Sequence, residues 1–403
     1  MPLPLNYETQ PGTVLCPATV AALTVNARSS GDAVLTVTDN LDPAFIRPAG
    51  WASSIKFDVT GGGTVTTLWN LDWIINTSLA GVARFHLPYW TNNIAALWNI
   101  TVFVSELSTY ANRFNYSPYT IAPNAARLGW NLATLDRNRP SSTTGAPSIG
   151  NTFTRIRLQL QLPAGQIGTL YLGPLSINRH NRPKIVFSFD DQDASQYSEG
   201  FAYLNARNLP GSACVQTSIV DGGTGVTLAN LQEMRAAGWS FHNHSVNHPN
   251  LTGLSIADAT ANMRQAQDWL DDKGFRYGRG TVVYPNGATN DAVDEAMQAL
   301  GYRFGCITRG QVEKYWDGLA FPMRIDRQAT DVGVSLSTLT SRVDDAITFG
   351  GGVVFYTHAI LGGATGSNTL TATWRGLVDY VKRLHDANVL DVVTLQGFID
   401  GLS

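Results

Sequence analysis

Apolar and polar residues alternate in short runs over roughly the first 178 positions, at 33–38, 55–59, 100–104, 154–160 and 169–172. Clusters of Gly, Pro, Asn and Ser separate these runs. A period of two marks half-buried strands, and hardly any helical period accompanies it. The expectation is an all-β sandwich of jelly-roll kind. The polar stretch 137–147 reads as a long loop inside this module. Residues 178–183, Asn-Arg-His-Asn-Arg-Pro, read as a hinge, giving domains at 1–178 and 179–403.

From Lys184 the pattern changes. Near-continuous apolar runs at 185–189, 213–217, 281–284, 304–307 and 353–356 predict buried strands. Between and beyond them, 228–237, 256–273, 291–300, 337–349 and 373–387 carry a helical period. Four of these are followed by Gly238, Gly274, Gly301 and Gly350, as helix C-termini favour. Alternating β and α units predict a parallel sheet covered by helices, closed as a distorted (β/α)7–8 barrel. In such barrels chemistry collects where strands end and loops begin.

Composition narrows the class. The 403 residues suffice for two or three domains with a sizeable core. A net charge of −3 gives no general attraction to nucleic acid or to an anionic membrane. No apolar run reaches the length of a membrane span. Cys16, Cys214 and Cys306 cannot all pair and lack metal-ligand spacing, so each is expected to pack as a small apolar residue. No secretory leader is legible at the N-terminus, so the chain is expected to be cytoplasmic as made, or to act outside as a phage-borne or surface-associated protein. Trp51, Trp69, Trp73, Trp90, Trp98 and Trp130 lie in the β-rich half. Most are expected to fill its core, with some aromatic free to stack on sugar rings.

Three of the seven histidines fall in Phe241-His242-Asn243-His244-Ser245-Val246-Asn247-His248-Pro249. His244 and His248, four apart, would share a face if a helical turn formed there. The carboxylates Asp190 and Asp191 leave the end of a predicted strand and point to different sides. Asp191, His244 and His248 therefore suit a divalent metal, zinc foremost, with cobalt or nickel possible by ligand type. Three protein ligands leave positions open for water and substrate, which is the catalytic arrangement. Asp190 is then placed to act as a base and His358, after another strand, as an acid. Amides of the turn Tyr284-Pro285-Asn286-Gly287 are candidates for donating to an oxyanion. On a strand, His242 would share a face with His244, and it is set aside as a pocket residue.

These segments, in this order, resemble the polysaccharide deacetylases of the NodB-homology type, carbohydrate esterase family four, over residues 184–403. The resemblance implies removal of N- or O-linked acetyl groups from a polysaccharide or oligosaccharide. It implies Asp190 as base, Asp191, His244 and His248 as ligands, and His358 as acid. It also implies a groove wall and oxyanion amide from Tyr284, Pro285 and Asn286, and an acetyl-methyl pocket that includes Phe355. The chain departs from the family pattern at Gln192, where glycine is usual, at Val283, where an arginine often stands, and at Asn286 and Thr357. Arg324 is the candidate to replace the missing arginine and orient Asp190. Two other readings stand beside this one: a hydrolase of small amides or ureides, and a non-catalytic glycan-binding protein. The β-rich module is expected to bind glycan, or to serve in oligomer or virion attachment.

Overall fold

A computed structural model describes residues 13–42, 52–82, 84–91, 99–120, 129–138, 140–177, 182–223, 225–275, 280–310, 313–314, 322–349 and 351–400. The chain forms two compact units, Glu8–Asn181 and Arg182–Ser403. Residues 178–181 of the expected hinge, Gly350, Trp51 and Trp98 lie outside the described residues, as does the side chain of Trp130.

The first unit consists of two antiparallel sheets. One is ordered Thr13–Cys16, Leu175–Ile177, Arg84–Thr91, Gly168–Leu172, Ser54–Val59, Thr36–Asn40, with Gly129–Asp136 also on Arg84–Thr91. The other runs Ser142–Thr144, Arg113–Thr120, Asn99–Ser105, Thr152–Leu162, Thr67–Ser78, Thr24–Ser30. Alternation decides what is buried: Trp69, Leu71 and Trp73 on one strand meet Ile156, Leu158 and Leu160, while Ile55, Phe57 and Val59 belong to the same core. Trp69 and Trp73 are core residues, and Trp90 is half-buried edge-on against Tyr171 at 5.3 Å. The stretch expected as a loop at 137–147 contains the short strand Ser142–Thr144.

The second unit is a closed barrel of seven parallel strands: β1 (Lys184–Asp190), β2 (Ser212–Val215), β3 (Ser240–Asn243), β4 (Thr281–Val283), β5 (Phe304–Ile307), β6 (Ile325–Ala329) and β7 (Gly351–Thr357). Pairing of β7 with β1, from Lys184 against Gly352 to Phe189 against Thr357, closes it. β3 and β6 were not among the strands expected from sequence. Both are short and carry buried polar residues, so neither reads as an apolar run.

Helices Leu228–Ala236, Ile256–Asp272, Asp291–Ala299, Leu336–Phe349 and Thr371–Asp386 lie close to the expected ranges. Thr227, Ser255 and Asn290 cap three of them by accepting first-turn N–H groups. Gly274 follows its helix at φ 83°, a conformation that costs glycine little. Outward residues of the strands, such as Phe187, Phe189 and Phe355, bury against Trp374, Leu377 and Val378 of these helices. The barrel's interior is apolar at the bottom, where Leu395, Phe398 and Ile399 of helix Leu395–Asp400 meet Val186, Val283, Ile325 and Val354. Gly352 permits this plug, since a Cβ there would lie 2.4 Å from the Phe398 ring. The three cysteines are buried and none is in a disulfide, as expected. Among the described residues no helix is long and apolar enough to cross a membrane.

Candidate metal centre and active site

β1 ends in Asp190, and the chain then turns through Asp191 at φ 65° and Gln192 at φ 43°. Left-handed backbone is costly for such residues and persists only where the surroundings hold it. Gln192 supplies that hold. Buried, it donates from Nε2 to the Cys214 carbonyl (2.6 Å) and accepts the Gln216 N–H at Oε1 (2.7 Å), extending the β1–β2 ladder past its last backbone pair.

The histidine segment forms no helix. β3 stops at Asn243, and His244 to Pro249 form a loop with Ser245 at φ 73° and His248 at φ 57°. Asn243 Oδ1 accepts the Ser245 N–H (2.8 Å), and Ser245 Oγ accepts the His248 N–H (2.9 Å). Backbone bonds from Thr217 and Ser218 to the Ser245 and Val246 carbonyls fasten the loop to the segment after β2. The two imidazoles meet because this loop folds back, and their rings stand 4.8 Å apart, edge to face.

Three donor atoms converge. Asp191 Oδ1 lies 3.5 Å from His244 Nε2 and 3.7 Å from His248 Nε2. All the candidate ligand atoms of this trio fall within 4.8 Å of one another. Ligand bonds of roughly 2.0–2.2 Å put tetrahedral donors about 3.3–3.5 Å apart, close to this spacing. Two further features fit a cation. Asp191 Oδ1 is buried with no hydrogen-bond partner. His244 Nδ1 donates to the Val283 carbonyl (2.8 Å), which leaves its Nε2 lone pair facing Asp191. Burial lowers the pKa of His244, keeping the ring neutral as a ligand must be.

Asp190 lies beneath this trio, buried, with Oδ2 4.0 Å from His244 Nε2. Burial by itself would raise its pKa. The Arg327 guanidinium, 2.8 Å from Oδ1, and His244 outweigh that and hold it below the ordinary carboxylate range. The orienting cation is thus Arg327, and the expectation for Arg324 is corrected. Arg324 precedes β6 in the turn Pro322–Arg324 and pairs with Asp291 and Asp294 on the neighbouring helix. Strand parity decides between them: Ile325 and Arg327 share the inward face of β6.

Parity also corrects Phe355. It faces outward, stacked on Phe187 in the helix-side core, and cannot line an acyl pocket. Tyr356 takes the inward position instead, with Arg327 4.7 Å from its ring centre and the His358 ring 5.7 Å away. Tyr284 is likewise buried, its hydroxyl donating to Asp294 (2.7 Å), so of the three expected groove residues Tyr284, Pro285 and Asn286 only Asn286, exposed at φ 59°, is presented to solvent. Pro285 is buried within that turn.

His358 follows β7, half-buried, with Nδ1 3.2 Å from the Ser367 carbonyl and Nε2 3.7 Å from Asp191 Oδ2. Gln196, in the π-turn Gln196–Phe201, donates to the backbone carbonyls of Asp190 and His358 (3.3 Å for the latter) and ties the two strand ends together. Neither Gln192 nor Gln196 carries a sequence signal beyond Gln192 standing where glycine is usual.

Residues 177–305 match the family model for polysaccharide deacetylase. That segment holds Asp190, Asp191, His244, His248 and Asn286 and stops short of Arg327 and His358. A putative polysaccharide deacetylase of Bacillus subtilis, YxkH, is 22% identical over 124 residues, which is 31% of this chain and 44% of that protein. The match therefore spans less than half of that relative. Among solved structures, the chain is similar to the Xyl-CE4 domain of a multidomain xylanase from the hindgut metagenome of Trinervitermes trinervoides, at 16% identity, covering 55% of this chain and 91% of that one with a TM-score of 0.40. It is also similar to the chitin deacetylase of the fungal pathogen Colletotrichum lindemuthianum, at 16% identity, 54% and 87% coverage, and a TM-score of 0.40. The match to the polysaccharide deacetylase family model thus lies within residues 177–305, the segment that carries Asp190, Asp191, His244 and His248.

Proposed function

We propose that this chain is a metal-dependent hydrolase that removes acetyl groups, N- or O-linked, from a polysaccharide or oligosaccharide. The observation that carries the reading is the convergence of Asp191, His244 and His248 beside a buried, arginine-paired Asp190 and a half-buried His358. Asp191, His244 and His248 would hold the divalent ion, for which zinc best suits one carboxylate and two imidazoles. When bound, that ion supplies Lewis acidity to the acyl carbonyl and acidity to water.

The chain's own groups do the rest. Asp190, ionised and fixed through Oδ1 by Arg327, offers Oδ2 to take the proton of the attacking water. Asn286 presents a backbone N–H toward the developing oxyanion. The Nδ1–H of His358 is committed to Ser367, so Nε2 carries the proton delivered to the departing amine or alkoxide. We read the two-sheet unit as a jelly-roll-like sandwich that binds glycan or attaches the enzyme to a larger assembly.

The test is acetate release from acetylated chito-oligosaccharides, peptidoglycan, acetylxylan and capsular polysaccharide, with and without chelator. Chelator-sensitive release from one polymer class is the expected result. Release only from small amides would favour the ureide-type alternative, and none from any substrate would favour glycan binding without catalysis.

A further inference from the structure

The third histidine of the cluster, His242, has no part in the proposed reaction, yet it stands among the barrel's least satisfied polar groups. Lateral register puts it in a row across four strands. Asp190 of β1 lies beside Cys214 of β2, and Cys214 lies beside His242 of β3. The pairing of Asn243 with Val282 puts Thr281 of β4 next in line. Asn243 turns outward to Met263 and Tyr302, so its neighbour His242 points into the barrel. Arg327 of β6 reaches the first member of that row with its side chain, through its bond to Asp190.

His242, Thr281 and Arg327 are at most 1% exposed. Each nevertheless has a buried side-chain atom without a hydrogen-bond partner: Nδ1 of His242, Oγ1 of Thr281 and Nε of Arg327. Interiors rarely leave such groups dry, and ordered water is the usual remedy.

The hydrogen-bond directions fit one water. The Leu395 N–H and the Ser240 hydroxyl both donate to Ser212 Oγ, at 2.8 and 3.0 Å. Ser240 has then spent its only proton, so in its 2.8 Å contact with His242 the ring Nε2–H is the donor. The neutral ring therefore presents Nδ1 as an acceptor. The Arg327 Nε–H only donates, and the Thr281 hydroxyl does either. A water accepting from Arg327 and donating to His242, with Thr281 as its third partner, satisfies all three.

We propose that the barrel holds an ordered water between His242 Nδ1, Thr281 Oγ1 and Arg327 Nε, and that His242 is through it a positioning residue for the Arg327–Asp190 pair. The kinetic half of this proposal rests on Asp190 serving as the base; the water itself does not.

The test is a high-resolution crystal structure of the full chain together with the kinetics of His242→Phe, His242→Asn and Thr281→Val. The expected structure has a water about 2.7–3.2 Å from all three atoms. His242→Phe should lower kcat about tenfold with KM and metal content unchanged. It should also move the acidic limb of the kcat/KM profile upward, as Asp190 loses part of its hold on Arg327. His242→Asn, which keeps an acceptor near Nδ1, should recover most of the rate, and Thr281→Val should give a smaller loss. A structure without that water, or a His242→Phe enzyme with wild-type kcat and acidic limb, overturns the proposal. A wild-type protein without hydrolase activity would sink the functional reading alone, while the water still decides this inference.

Discussion

The two ends of the barrel are made from the same seven strands and filled with opposite chemistry. At the bottom, Leu395, Phe398 and Ile399 meet an apolar ring. At the mouth, Asp191, Gln192, Ser245, His248 and Asn286 all take left-handed backbone, and Asp191 Oδ1 is buried without a hydrogen-bond partner. One end is packed to be stable. The other holds strain and unmet polar demand, which is where proteins place chemistry. Damage to the mouth should therefore show in rate and metal content, and damage to the floor in stability.

The sharpest break with this division would come from Asp190→Asn. It should retain metal and lose about 10²–10⁴-fold in kcat, measured by acetate release and metal analysis on one sample. A fully active, metal-loaded variant would remove Asp190 as the base. Next is Arg327→Met, which leaves the buried Asp190 charge alone. A loss of about 3–5 kcal/mol by denaturant unfolding is expected, with activity falling too. Phe398→Ala should cost a comparable ~3–5 kcal/mol yet leave kcat and metal affinity near wild type. If Phe398→Ala abolished metal binding, the two ends would not be separable.

A smaller effect concerns pH. Burial and Arg327 lower the His242 pKa to about 3 from 6.5. The unfolded chain takes up that proton below about 6.5 while the folded chain refuses it until about 3. Stability should therefore fall as pH drops through that window, by at most about 1.4 kcal/mol per pH unit from this group. Metal-free His242→Phe should show a shallower decline in thermal melts. Smallest of all, Arg324→Ala should cost roughly 1 kcal/mol or less and spare activity, because Arg324 and Asp291 reach solvent and the buried Asp294 keeps hydrogen bonds from the Tyr284 and Thr289 hydroxyls.

The same contrast explains what could be read from sequence. The apolar runs of β1 and β7, the helical periods and the candidacy of Asp191, His244 and His248 were all legible, because residue type and spacing along the chain carry them. What escaped was parity. In 353–356 every residue is apolar or aromatic, so nothing in the run distinguishes outward Phe355 from inward Tyr356. In Ile325-Asp326-Arg327-Gln328-Ala329 the polar residues are buried by the barrel, which hides the strand and with it the choice of Arg327 over Arg324. Anchoring the period-two alternation on Ile325 would have found it. The spacing of His244 and His248 suggested a helical turn. The structure reaches the same juxtaposition through left-handed residues held by Asn243 and Ser245, for which spacing gives no signal.

The central claim, that the mouth is a metal centre built by Asp191, His244 and His248, is tested most directly by the zinc retained per chain after gel filtration. Wild type and His244→Ala are compared, with the folded state of each confirmed by circular dichroism. One ion per wild-type chain and almost none on folded His244→Ala is the predicted result. Equal zinc on both, or none on wild type, would contradict it.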